Sequence, residues 1–237
     1  MLTKTIKINS YDVGENSELK LSSLMKYMQQ LAVDDIASAG ATYESMRADD
    51  MVFVIIKFGI EFVSPVRKND VLEIQTVNNA ISGAVFVREF VFRRGGAVVA
   101  NATTHWVLMS YSRRVPLRPS SLKNGAEPMG LDIKGAGLIK KFEFDLSAAQ
   151  SAGEYTVYRS SLDENRHLNN TVYADIVLDR CGFSTGSVKE CRINFTGEAL
   201  EKDILDVYTI PRASGAAVCG VNRRTQKHCF EAEIEFA

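Results

Sequence analysis

The stretch Leu162-Asp163-Glu164-Asn165-Arg166-His167-Leu168-Asn169-Asn170 gathers an acid, a carboxamide and an imidazole into one short segment. Asp163 can accept a proton, Asn165 can donate and accept hydrogen bonds, and His167 can do either near neutrality. Such a set suits general acid–base work or the holding of a water and a carbonyl. Each residue also has a plainer reading. Asp163 and Asn165 could simply build a turn, and Asn169-Asn170 reads as a helix cap. A calcium loop is excluded. Asp163, Asn165 and His167 would fall at its positions 1, 3 and 5, but Leu168 stands at the obligate glycine and Ala174 at the bidentate glutamate.

A second version of this segment lies near the start, at Tyr11-Asp12-Val13-Gly14-Glu15-Asn16-Ser17-Glu18-Leu19. Asn16 matches Asn165 and Leu19 matches Leu168, while Glu18 stands where His167 stands. The residues after each segment repeat as well. Leu21, Leu24, Met25, Met28, Leu31, Ala32 and Ile36 recur at helical spacing, which predicts a helix with one buried face. Thr171 to about Cys181 is the corresponding helix of the second half. Strand patterns come next. Lys57–Phe62 alternates, Val71–Val77 follows, and two long runs from Ala84 and Ala97 flank a Gly95-Gly96 turn. The second half answers with Cys191–Phe195, Ile204–Ile210, Ser214-Gly215-Ala216 and Glu231–Phe236. The offset between copies falls from 149 residues at the turn (Asn165 against Asn16) to 133 (Phe195 against Phe62) and 130 (Ala232 against Ala102). That drift places a longer helix-to-strand connection, Thr42–Val54, in the first copy.

A period this long is no solenoid. One helix followed by several antiparallel strands buries the helix by wrapping the sheet around it. The fold class is therefore α+β, with two such modules in tandem. The expected division is 1–115, a linker at 116–139 rich in Gly, Pro and Ser, and 140–237. Lys140–Leu146 alternates and offers an additional strand. One polar cluster kept and one lost is the pattern of a single active site in a two-module enzyme.

Composition agrees with a globular chain of 237 residues, with 46% hydrophobic and 24% charged residues. A net charge of -1 supplies no global field for nucleic acid. Basic pairs occur at Arg93-Arg94, Arg113-Arg114, Lys140-Lys141 and Arg223-Arg224, each read by default as a solvated strand end or loop. No run reaches the length of a membrane span, and the N-terminal segment lacks the apolar core of a signal peptide. Cys181, Cys191, Cys219 and Cys229 show no CxxC spacing and read as reduced thiols of a cytoplasmic protein. His105 and His228 lie in or beside strands and read as packing residues.

Asp163-Glu-Asn165-Arg-His167-Leu-Asn169-Asn170, with Asn194-Phe195-Thr-Gly-Glu198 ahead of Asp203, resembles the acyl-acyl carrier protein thioesterases over nearly the whole chain. The resemblance implies a double (tandem) hotdog fold that hydrolyses a fatty acyl thioester of acyl carrier protein. It implies Asp163, Asn165 and His167 as the catalytic turn and Glu198 as the acid on the following strand. Plant relatives carry a Cys directly after that Glu; here the position is Ala199, which removes a Cys–His mechanism and favours water as the nucleophile. In the first copy Pro65 stands at the place of Glu198, so that module is expected to bind the acyl chain. Met25 and Met28 on the helix, with Phe53 and Phe58, are candidates for its lining; equally, they could be core. Backbone N–H groups around Asn169–Val172 are candidate oxyanion donors. No metal or cofactor is expected. The acidic carrier would dock on one of the pairs Arg93-Arg94, Arg113-Arg114 or Lys140-Lys141, and the protein would be a monomer or a homodimer. Competing chemistries are a coenzyme A thioesterase, a hydratase or dehydratase on the same fold, and a non-catalytic acyl-binding protein.

Overall fold

Strands rich in β-branched and aromatic side chains supply the larger part of the regular structure, and the computed structural model describes residues 1–122, 127–131, 139, 142–183 and 186–237. They fall into two units, Met1–Leu138 and Ile139–Ala237. The first unit runs β1 (Leu2–Lys7), α1 (Leu21–Ser38), α2 (Tyr43–Ala48), β2 (Met51–Phe62), β3 (Val71–Ser82), β4 (Val85–Arg94) and β5 (Ala97–Ser110). Its strands lie in the order β1-β3-β4-β5-β2, every neighbour antiparallel. The second unit runs β6 (Gln150–Thr156), α3 (Asn170–Arg180), β7 (Val188–Phe195), β8 (Ile204–Arg212), β9 (Gly215–Asn222) and β10 (Lys227–Phe236). Its order is β6-β8-β9-β10-β7, again antiparallel throughout. The spatial order of the five strands is thus the same in both units, as expected of a duplicated module.

Helix α1 buries Leu21, Leu24, Met25, Met28, Leu31 and Ala32, the stripe expected from their spacing, and meets β3 and β1. Strand residues such as Leu72, Ile74, Phe90, Phe92, Ala100 and Ala102 supply the rest of that core. The β4–β5 hairpin turns on Gly95 and Gly96, both at positive φ (57° and 86°), which a side chain would disfavour and a two-residue hairpin requires.

Several elements differ from the sequence-based expectation, each for a physical reason. Thr42–Val54 is not a plain connection. Thr42 caps the short helix α2 by accepting from the Ser45 N–H, and β2 begins at Met51, six residues before the alternation at Lys57. Strands β1 and β6 start earlier than Ile6 and Tyr155, because each pairs on one side only and carries mostly exposed side chains. An exposed edge strand gives no hydrophobic alternation to read. The expected strand at Lys140–Leu146 is absent from its described part. Residues 142–145 are irregular, and Leu146–Ala148 forms a 3-10 turn capped by Asp145; Lys140 and Lys141 lie outside the described residues. Of the linker, Met129 and Gly130 donate to the carbonyls of Asn78 and Asn79, and the Asn79 side chain brackets Leu131.

Arg88 and Glu89 are among the ionisable side chains buried in the first unit. Arg88 on β4 is 3% exposed and donates to Asp35 Oδ2 of α1 at 2.7 Å and to Thr76 Oγ1 at 3.1 Å. On the opposite face of β4, Glu89 accepts from the Thr103 hydroxyl at 2.6 Å. Burial pushes its carboxyl up to about 7, against the lowering effect of that hydrogen bond. Without Arg88, Asp35 keeps only the N-terminal amine 3.0 Å from Oδ1, so Arg88→Met alone should cost up to about 3–5 kcal/mol, whereas Arg88→Met with Asp35→Leu should recover most of the loss; urea unfolding of the three proteins checks this. Glu89 has a folded pKa above its unfolded value, so the unfolded chain ionises first. Stability should therefore fall as pH rises from about 4.5 to about 7 and level off above. Glu89→Gln should flatten that part of the unfolding-midpoint profile.

Candidate active site

The turn before α3 is built by Asp163. Its Oδ1 accepts from the backbone N–H of Asn165 at 2.9 Å and of His167 at 3.0 Å, and its own N–H donates to the His167 carbonyl at 2.8 Å. Arg166 takes the positive φ (63°) that closes such a turn. Asn169 caps α3, accepting from the Thr171 N–H and hydroxyl at 2.9 Å each. Leu168 then donates to the Ala199 carbonyl at 2.8 Å, and His167 bridges Leu200 in antiparallel fashion. These contacts lay the turn beside the loop after β7 that carries Glu198.

The result is a direct meeting of two of the sequence candidates. His167 Nε2 stands 3.3 Å from Glu198 Oε2. The imidazole is mostly buried, at 19% exposure, and the carboxylate is open to solvent at 54%. Asn165 is half-buried at the same turn, and its carboxamide has no hydrogen-bond partner among the described residues. Asp163 acts here through the backbone of the turn, by way of two N–H groups, rather than through a side-chain contact to His167 or Asn165.

The stretch expected to offer oxyanion donors is narrower than Asn169–Val172. Asn169 donates to the Ser161 carbonyl, Thr171 to the cap, and Val172 to the Asn169 carbonyl. Among the described residues the Asn170 N–H, first in α3, is left without an acceptor.

Tyr173 and Cys229 lie close by. The Tyr173 ring packs against Phe195 and Phe230. Burial first, then the charges of Cys229, Glu198, Asp163 and Asp203, push its hydroxyl well above the usual range. Cys229 Sγ is 3.6 Å from the Glu198 carbonyl, and burial pushes its thiol up to about 11. All four cysteines are free and buried, so the nearest thiol is a poor thiolate source. Sequence reading did not single out Tyr173; its place one helical turn past the cap was the available signal.

The first unit repeats the main backbone bonds of this site. Gly14 donates to the Glu18 carbonyl, Ser17 takes positive φ (57°), Leu19 donates to the Val66 carbonyl, and Glu18 bridges Arg67. This sets Glu18 opposite His167 and Pro65 opposite Glu198. Glu18 Oε1 pairs with the Arg67 guanidinium at 3.2 Å, closing the place where the second unit keeps its imidazole.

The remaining candidates are dispersed. Met25, Met28 and Phe58 are each 1% exposed in the first unit's core. Phe53 instead packs edge-on to Phe86, with a cluster of Ala41, Met46, Met51 and Leu108. His105 is buried with Nε2 lacking a partner, and His228 Nδ1 meets Glu231 at 2.7 Å. The basic pairs are not merely solvated. Arg94 holds Asp70, Arg93 meets Gln75, and Arg113 contacts Ser110. Arg223 holds Asp206 and Glu154, while Arg224 holds Asp203. No helix among the described residues is long and apolar enough to cross a membrane.

Residues 1–120 match the acyl-ACP thioesterase N-terminal domain, and residues 145–236 match the acyl-ACP thioesterase C-terminal domain. Among curated proteins, the chain is 23% identical over 192 residues to a chloroplastic palmitoyl-acyl carrier protein thioesterase of Gossypium hirsutum, covering 76% of this chain and 46% of that protein. It is 23% identical over 226 residues to a chloroplastic oleoyl-acyl carrier protein thioesterase of Arabidopsis thaliana, covering 85% and 60%. The chain thus spans about half the length of these curated relatives. Among solved structures, an acyl-ACP thioesterase from Bacteroides thetaiotaomicron superimposes with TM-score 0.87 at 16% identity, covering 99% of this chain and 97% of the other. The 12:0-ACP thioesterase from Umbellularia californica gives 0.78 at 20%, covering 100% and 96%. These likenesses show the fold to be a double hotdog, and with both domain models matched, the chain belongs to the acyl-ACP thioesterase family.

Proposed function

We propose that the protein hydrolyses the thioester of a fatty acyl-acyl carrier protein, releasing free fatty acid and carrier thiol. The observation that carries this is the 3.3 Å approach of His167 Nε2 to a solvent-reachable Glu198 carboxylate, beside an Asn165 carboxamide free to bind a ligand. Family membership and the names of the relatives support the choice of substrate.

In this reading Glu198, steadied by His167, takes a proton from water as the water oxygen attacks the thioester carbonyl carbon. The carbonyl oxygen becomes an oxyanion facing the Asn170 N–H, at the positive end of α3. The C–S bond then breaks, and the departing thiolate takes up the proton that Glu198 gained. Asn165 orients the water or the carbonyl, and Asp163 keeps the turn in shape. Ala199 offers no nucleophile, and the raised Cys229 thiol does not replace one. The first unit, whose equivalent positions are Glu18 and Pro65, is proposed to hold the acyl chain on Met25, Met28, Phe53 and Phe58. Arg113-Arg114 is proposed as the docking pair for the acidic carrier, since both residues are exposed whereas Arg93 and Arg94 are half-buried.

Glu198→Ala should lower kcat by roughly 10²–10⁴-fold while the thermal unfolding midpoint stays near that of the parent; turnover equal to the parent would remove Glu198 from the mechanism. Neutralising Arg113 and Arg114 should raise KM for carrier-bound substrate, most strongly at low salt, with little effect on the same acyl group carried by coenzyme A. Parallel thiol-release assays on the two carriers, across a ladder of acyl lengths, provide that measurement.

A further inference from the structure

The loop after β7 holds Glu198 through a set of contacts that involve no catalytic side chain. Asp203, 6% exposed, sits at the far end of this loop. One of its oxygens, Oδ2, accepts from the Leu200 N–H at 2.9 Å, from Asn222 Nδ2 at 2.8 Å and from Arg224 Nη2 at 2.8 Å. The other, Oδ1, accepts from Arg224 Nε at 2.6 Å. Asn222 is fully buried and its own Oδ1 accepts from the N–H groups of Arg224 and Thr225. The β9–β10 turn and the β7–β8 loop are therefore bolted together around one carboxylate. Leu200, held by that carboxylate, is the residue that bridges His167, and its neighbour Ala199 receives the Leu168 N–H.

We propose that Asp203 and Arg224 are positioning residues for the reaction: their two-pronged ion pair fixes the Glu198 loop so that its carboxylate meets the His167 imidazole. This rests on the thioester-hydrolase reading of the site. A fork-shaped guanidinium locks a carboxylate in orientation as well as distance, which a lysine would not do. The first unit contains a simpler, single-oxygen form of this anchor without the chemistry. Asp70 accepts from the Arg67 N–H at 2.8 Å and from Arg94 at 2.6 Å. Its loop carries Pro65 where Glu198 would be, so disturbing it touches folding and not the reacting carboxylate. The molecule thus supplies its own control.

The test compares the parent with Asp203→Asn, Arg224→Lys and Asp70→Asn. Each is measured for kcat and KM on a fatty acyl-acyl carrier protein, for its melting midpoint, and for the imidazole NMR signals of His167 at fixed pH. A misplaced reacting group costs rate out of proportion to binding, so Asp203→Asn should lower kcat about 10–100-fold with KM within about threefold. Arg224→Lys should show a smaller loss, and both variants should move the His167 signals. Asp70→Asn should lower the melting midpoint while leaving kcat within about twofold of the parent and the His167 signals in place. Parent-like kcat in Asp203→Asn, or an equal kcat loss in Asp70→Asn, overturns the proposal. Should Asp203→Asn fail to fold, Arg224→Lys decides on the same readouts. A parent that releases no thiol from any acyl carrier protein sinks the hydrolase reading instead, and the His167 signals alone then decide whether the clamp positions the imidazole.

Discussion

One backbone hydrogen bond, from Leu168 to the Ala199 carbonyl, ties together everything of chemical interest in this chain. The turn that carries Asp163, Asn165 and His167 and the loop that carries Glu198 are about thirty residues apart in sequence. Neither has a reason to approach the other from local propensity. With the bond in place, and His167 bridging Leu200 beside it, the imidazole and the carboxylate are brought within reach of one another. Most of the surrounding structure serves to hold those two segments at that separation. Asp163 folds the turn, Asn169 starts the helix, and β7 and β10 deliver the loop.

The two units show which part of this arrangement belongs to the fold and which to the chemistry. The strap recurs as Leu19 to Val66, the bridge as Glu18 to Arg67, and the loop anchor as Asp70. Backbone geometry has been kept in both copies. Among the side chains that differ are those at the reacting position, where an ion pair and a proline stand in for imidazole and carboxylate. A proline at 65 still accepts through its carbonyl, and does so from Arg94, so the loop survives the loss of its acid.

Much of this was legible in the sequence because duplication is a register statement. Matching Asn16 to Asn165 and Phe62 to Phe195 placed Glu18 against His167 and Pro65 against Glu198, and the hydrogen-bond pattern repeats in that register. The buried stripe of α1 and the Gly95-Gly96 hairpin were visible for ordinary reasons of periodicity and turn chemistry. Helix α2 was not, since six residues are too few to show a period and its stability leans on the Thr42 cap. Strands β1 and β6 were hidden by their exposure. The roles of Asp203 and Arg224 were out of reach, because a pair 21 residues apart on two loops leaves no spacing rule to read. Asp163 was named as a participant, but only coordinates could separate a carboxylate that works through backbone N–H groups from one that touches the imidazole.

Gly197, just ahead of Glu198, carries a consequence for how interchangeable the halves are. A methyl group added there would lie 2.7 Å from the His228 carbonyl oxygen, so the second unit brings its last strand closer to the loop than a side chain permits. The first unit has Ser64 at the corresponding place, and its hydroxyl is engaged by Arg94. The two loops are therefore not exchangeable cassettes. Grafting a histidine and a glutamate into the N-terminal half would reproduce an inventory without the tight seam between neighbouring strands on which its geometry depends, and ancestry shared by the halves does not make them spare parts for one another.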